Sequence, residues 1–144
     1  MNLTVKHFSE LTVSELYDIL KLRVSVFVLE QSCLYQELDD MDKNAFHLWY
    51  SDKDGVAAYL RVLPDSVWGE VSIGRVISVR RRMGLGSMIL AEGIKTAKER
   101  YGAKRIVIGA QSYAQGFYEK AGFIRDSEEY VEDGIRHVRM TLEI

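Results

Sequence analysis

The sequence predicts a single α/β (α+β) domain spanning residues 1–144 and built on a mixed sheet, and three observations carry that expectation. The first is a β-branched, proline-free run, Val71-Ser72-Ile73-Gly74-Arg75-Val76-Ile77-Ser78-Val79, followed by a glycine turn and a helical pattern that Gly102 ends. The second is a further strand-like run, Arg105 to Ala110, which a right-handed crossover would set parallel to the first. The third is a pair of hairpin patterns, one on either side of this β-α-β unit.

Composition narrows the function classes. The chain has 144 residues, 47% of them hydrophobic and 28% charged. That is enough to bury roughly 70% of the unfolded surface and argues against disorder. A formal net charge of −2 gives no long-range attraction to nucleic acid. Cys33 is the only cysteine, so no internal disulfide is possible, and with three scattered histidines no structural metal site is expected. No apolar run has membrane-spanning length, and the first residues lack a signal peptide's apolar core. The expectation is a cytoplasmic monomer or homodimer with no nucleic-acid or membrane partner.

Taken in order, Leu3, Val5 and His7 alternate as in a first strand. Thr12-Val13-Ser14-Glu15 reads as a capping box opening a helix, with Leu16, Ile19, Leu20, Arg23 and Phe27 at helical spacing. Arg23 then falls on or beside the apolar face and requires a partner, either a structural ion pair or an anion in a cleft. Val26 to Met41 is less regular, a short helix followed by a polar loop. The acidic Glu37-Leu38-Asp39-Asp40-Met41-Asp42 lacks EF-hand spacing and reads as solvated. Phe46 to Tyr50 and Val56 to Leu63 read as strands joined by the turn Ser51-Asp52-Lys53-Asp54-Gly55, and Pro64-Asp65-Ser66 turns the chain again. In the central helix Ile89, Leu90, Ile94 and Ala97 share one face. After the strand from Arg105, Ser112 can cap a short helix that Gly122 ends, with Phe117 and Ala121 inward. Glu128 to Val131 and Ile135 to Leu142 form the last hairpin around Glu132-Asp133-Gly134.

The strand, glycine loop and helix from Val71 onward form a device for holding phosphate. Glycines admit close backbone approach, and the first free N–H groups of a helix point at an anion with the helix dipole behind them. Arg80, Arg81 and Arg82 add charge at the same end. The same features also suit a tight turn with a solvated basic cluster. A Walker loop requires Lys-Ser/Thr after its last glycine, but Ser87-Met88 stands there, and the dinucleotide fingerprint requires a small residue where Ile89 stands. Arg81-Arg82-Met83-Gly84-Leu85-Gly86, an Arg-x-x-Gly-x-Gly, resembles the acyl-CoA pyrophosphate loop of the GNAT acetyltransferase superfamily. Phe117-Tyr118-Glu119-Lys120-Ala121-Gly122-Phe123 resembles that family's second signature, and the order of elements matches along essentially the whole chain. Val26-Phe27-Val28-Leu29-Glu30-Gln31, Gly74-Arg75-Val76-Ile77, Gly109-Ala110-Gln111 and Glu132-Asp133-Gly134-Ile135 resemble its ElaA-type branch. One departure is that Val79 runs almost directly into Arg80-Arg81, which shifts the register of the loop.

The resemblance implies a twisted mixed sheet with helices on both faces and two central parallel strands splayed around acyl-CoA. Pantetheine amides would meet backbone groups of Ile77, Ser78 and Val79. Pyrophosphate would meet N–H groups from Arg82, Met83, Gly84, Leu85, Gly86 and Ser87, with Arg81 beside them. The implied activity is CoA-dependent N-acyl transfer, with acetyl-CoA as co-substrate and a small-molecule or protein amine as acceptor. Tyr118 is the implied acid or sulfur contact, and His137, where glyphosate-acetylating relatives carry a basic histidine, the implied base. Glu30 is the second candidate base. Arg23, Arg75, Gln111 and Glu30 are expected to line the acceptor pocket, the arginines favouring an acidic substrate. A non-catalytic acyl-CoA-binding or regulatory module is the alternative, and a nucleotide-binding protein a third reading that the missing Walker lysine disfavours.

Overall fold

The computed structural model describes residues 1–79 and 83–144. Eight strands and three α-helices follow one another as β1 (Asn2–His7), α1 (Val13–Arg23), β2 (Phe46–Asp52), β3 (Gly55–Leu63), β4 (Ser72–Ser78), α2 (Leu85–Tyr101), β5 (Arg105–Gln111), α3 (Gln115–Lys120), β6 (Ile124–Arg125), β7 (Tyr130–Glu132) and β8 (Ile135–Glu143). The strands form two four-stranded sheets, β1-β2-β3-β4 and β5-β8-β6 with β7 paired to β8. Every ladder within them is antiparallel. β4 and β5 lie side by side with no ladder between them. A single backbone hydrogen bond, Val107 N–H to the Val71 carbonyl at 3.0 Å, joins the two sheets where these strands meet, and beyond it they diverge around a cleft.

The local signals work as chemistry dictates. Thr12 Oγ1 accepts from Glu15 N–H at 3.1 Å and the Glu15 carboxylate accepts from Thr12 N–H at 2.9 Å, closing the capping box of α1. Gly84 (φ 69°) and Gly102 (φ 60°) stand at the two ends of α2 in left-handed backbone that glycine adopts without a Cβ clash. Ser112 does not cap α3; its hydroxyl donates to Glu129 instead, at 2.9 Å.

Strand alternation divides the core between the two faces of the first sheet. Leu48, Tyr50, Ala58, Leu60, Val62 and Ile73 pack with Ile89, Leu90 and Ala97 of α2. Trp49, Tyr59 and Ile77 pack on the opposite face with Ile19 of α1. Ile73 and Ile77, four residues apart, would share a face in a regular strand. They do not, because β4 carries one extra residue relative to β3. Tyr59 pairs with Ile77 and Arg61 with Gly74, and Arg75 adopts φ 54° inside that bulge. α1 also continues into a π-helical turn, Val24–Glu30, a widened winding that recurs at functional sites. Among the described residues no helix is long and apolar enough to cross a membrane.

Candidate active site

The divergence of β4 from β5 opens a cleft of about 1120 Å³. Its walls come from β4, the π-helical turn and the segment after it, the 66–68 loop, the end of β5, α3 and the β7–β8 hairpin. At one end stands the N-terminus of the 17-residue helix α2, whose first N–H groups have no acceptor within the helix. Gly86 lines the cleft there, and a Cβ on it would lie 3.3 Å from the Phe117 ring and 3.8 Å from Ser78 Cβ. Met83 and Ser87 are exposed beside this helix end, whereas the Leu85 side chain is buried in the core. Ile77, Ser78 and Val79 line the β4 wall. The Val79 N–H already donates to Ala57 at 2.8 Å, so only its carbonyl remains for the cleft. Arg81 and Arg82 lie outside the described residues.

Tyr118 and His137 line this same cleft. Tyr118 is wedged edge-on between Phe117 and Phe123, with ring centroids 5.0 and 5.9 Å away, and its hydroxyl has no hydrogen-bond partner among the described residues. Burial, assisted by Tyr113, pushes its phenol up to about 12. His137 sits on β8 between Gln111 of β5 and Tyr130 of β7, on whose ring it stacks at 5.8 Å. Its Nδ1 lies 2.8 Å from the Ile135 carbonyl. A carbonyl only accepts, so Nδ1 carries the hydrogen and Nε2 of the neutral ring presents a lone pair. Gln111 lines the cleft and donates to Gln31 at 3.3 Å, and Glu30 stands exposed at the rim.

A family model for the acetyltransferase (GNAT) domain matches residues 8–144. The chain belongs to the GNAT acetyltransferase family. A UPF0039 protein of Schizosaccharomyces pombe is 41% identical over 143 residues, which are 96% of this chain and 95% of that protein. The crystal structure of Escherichia coli ElaA superposes with a TM-score of 0.91 at 37% identity, covering 99% of this chain and 100% of that one, and marks the ElaA-type branch. An acyl-CoA N-acyltransferase from Pseudomonas aeruginosa superposes with a TM-score of 0.90 at 38% identity, covering 98% and 99% of the two chains.

In this GNAT domain the arginines expected at the acceptor pocket are spoken for. Arg23 is 0% exposed and does not line the cleft. Its Nε donates to Glu37 and its guanidinium to Asp42, both at 2.6 Å, which makes it the structural ion pair and not the anion ligand of the two sequence readings. Arg75 does line the cleft, but its Nε donates to both Glu37 oxygens at 2.9 Å. Arg61, which the sequence reading passed over, donates to Asp39 at 2.7 and 2.9 Å and to Asp42 at 2.9 Å. Three arginines thus face three carboxylates, with the Tyr35 hydroxyl donating to Glu37. Burial alone would raise the Asp42 carboxyl, but its hydrogen bonds and attraction to Arg23 and Arg61 outweigh it and hold the group below its ordinary value.

The acidic 37–42 stretch is therefore no solvated loop. Glu37, Asp39 and Asp42 turn inward, while Asp40 stays exposed, because Arg23, Arg61 and Arg75 each rise from an apolar face and require a counter-charge. A signal was present in the sequence: three arginines embedded in apolar periodicity and four acids in one short segment.

Proposed function

We propose that this GNAT domain is an acyl-CoA-dependent N-acyltransferase, with acetyl-CoA as donor and a primary amine as acceptor. One observation carries the reading. Tyr118 and His137, the latter with Nδ1 on the Ile135 carbonyl and Nε2 outside that bond, line one cleft that also reaches Gly86 at the N-terminus of α2. The N–H groups at the start of α2 suit a pyrophosphate, and the β4 wall suits the peptide-like arm of CoA. In the proposed reaction His137 Nε2 takes a proton from the acceptor ammonium, directly or through water. The amine nitrogen attacks the thioester carbonyl, the C–S bond breaks, the nitrogen gives its second proton to water, and an amide and a thiolate result. A phenol at about 12 is a weaker acid than a thiol, ordinarily about 8.5. Tyr118 therefore keeps its proton and donates a hydrogen bond to the departing sulfur, and water supplies the thiol proton.

The test is thiol release from acetyl-CoA over a panel of amines, with His137→Ala beside the parent. The substitution should lower turnover by roughly 10²–10⁴-fold and flatten the acidic limb of the pH profile. Unaltered turnover with the same limb would return the base role to Glu30, or to no side chain.

A further inference from the structure

We infer that the acceptor carries a second positive charge, as an alkyl diamine or polyamine does; this rests on the acyltransferase reading above. The three arginines near the acceptor wall bring no net charge, because Glu37, Asp39 and Asp42 match them. The other charged residues lining the cleft, among those described, are all acids: Glu30, Glu132 and Asp133. Among the described residues none of the three has an arginine or lysine within ion-pair distance, and His137 Nε2 lies 3.9 Å from Glu132. Arg136 precedes His137 on β8 but does not line the cleft, and its Nε lies 3.8 Å from Glu129.

Backbone geometry holds these acids on one side. The buried Cys33 thiol donates to the Asp133 carbonyl at 2.9 Å, which ties the turn between β7 and β8 to the segment just after Glu30. The remaining surface there is neutral but favourable to a cation. Gln31 and Gln111 supply amide oxygens, and Trp68 packs over the strand at Gly109, where a Cβ would sit 3.1 Å from its ring. Trp68 is half-buried and lines the cleft, and an aromatic ring there can attract a cation. An anionic acceptor would meet Glu30, Glu132 and Asp133 and, among the described residues lining the cleft, no arginine without a carboxylate partner. The acidic substrate expected from Arg23 and Arg75 is therefore disfavoured by the ion pairs those residues make.

Butane-1,4-diamine, butylamine and 4-aminobutanoate share a chain length and differ in the distal charge. With acetyl-CoA as donor, kcat/KM should fall in that order, the diamine exceeding butylamine by about fivefold, the upper end for exposed ion pairs. The preference should shrink as salt is raised. In Glu30→Gln/Asp133→Asn the diamine-to-butylamine ratio should fall, leaving only the part that Glu132 supplies. Both changes keep side-chain size, and asparagine tolerates the φ of 51° at position 133. Calorimetric titration of butane-1,4-diamine into the CoA-bound protein gives a readout free of turnover, and binding should weaken in the double variant. Thiol release fastest with 4-aminobutanoate, or equal rates for all three, overturns this inference and leaves the acyltransferase standing. No thiol release with any amine, together with no stabilisation by acetyl-CoA, overturns both. Acetyl-CoA stabilisation without diamine binding overturns the inference alone.

Discussion

Replacing Glu37 with glutamine tests the ion network that backs one wall of the cleft. The residue is 3% exposed, and its two oxygens receive Arg23, Arg75 and the Tyr35 hydroxyl. Glutamine keeps one acceptor oxygen but turns an amide donor toward guanidinium groups. Arg23, 0% exposed, is then left with Asp42 as its single carboxylate. Removing one partner of a buried pair costs about 3–5 kcal/mol, and the retained oxygen puts this change near the lower bound, about 3 kcal/mol. For a domain of this size that corresponds to a fall of about 10 °C in Tm. The assay is urea unfolding near neutral pH, read as a shift in midpoint at constant slope. Arg75→Gln and the double variant complete a cycle that isolates the Glu37–Arg75 pair. A loss under about 1 kcal/mol, the range of an exposed pair, would refute the claim that this carboxylate holds the network. The substitution also frees the Arg75 charge at the cleft, so affinity for butane-1,4-diamine should drop in the same variant.

Gly86→Val should abolish thermal stabilisation by acetyl-CoA while the fold survives, since crowding Phe117 costs roughly 1–3 kcal/mol; undiminished stabilisation would remove the helix end from the binding site. Tyr118→Phe keeps the ring between Phe117 and Phe123, so CoA affinity should hold while turnover falls, most for acyl donors with poorer leaving groups. Weakened CoA binding with unchanged single-turnover transfer would make the hydroxyl a ligand contact only. Stability should decline on acidification from pH 7. Burial lowers His47, which stays neutral in the fold, bonded to Tyr59 and the Asp42 carbonyl. Its contribution is present above about pH 6.5 and lost below as the unfolded chain takes up protons. Asp39 and Asp42 are also held low, so their contribution is present above about pH 4 and lost as pH falls further. A urea midpoint unchanged between pH 7 and pH 5 would contradict the histidine part.

What could be read from the sequence was local. The capping box at Thr12 and Glu15, the α2 boundaries at Gly84 and Gly102, and the Asp133-Gly134 turn each depend on residues a few positions apart. What could not be read depends on pairing across the chain. The bulge at Arg75 is defined only against β3, and a non-glycine residue at φ 54° gives no warning in the sequence. The two-residue β6 is too short to show a period, and it exists because β8 offers it an edge at Thr141 and Met140. The π-helical turn after α1 continues the helical spacing from Leu16 to Phe27, and that spacing does not show the wider winding. The acidic 37–42 stretch looked solvated because polarity was read without its partners, which lie 14, 19, 22 and 38 positions away. Of the candidate site, Tyr118, His137, Gln111, Glu30, Gly86 and the β4 residues meet at one cleft, because the two signatures sit on the elements that frame it.

The ion network and the bulge explain each other. Arg75 in left-handed backbone costs of order 1 kcal/mol or more, and nothing local in a β-branched strand offsets it. Glu37 does, by accepting the Arg75 Nε while also holding Arg23 from α1. One carboxylate thereby fixes the strand in which Ile73 and Ile77 face opposite cores and anchors the segment that carries Cys33 and Tyr35 along the cleft. Apolar residues could supply comparable stability, since buried ion pairs recover little beyond their desolvation cost. They would not specify which residue of β4 takes the extra turn. On this argument the charges serve register. They also leave this wall of the cleft electrically neutral, so among the described residues the net charge lining the cleft comes from Glu30, Glu132 and Asp133 at the rim.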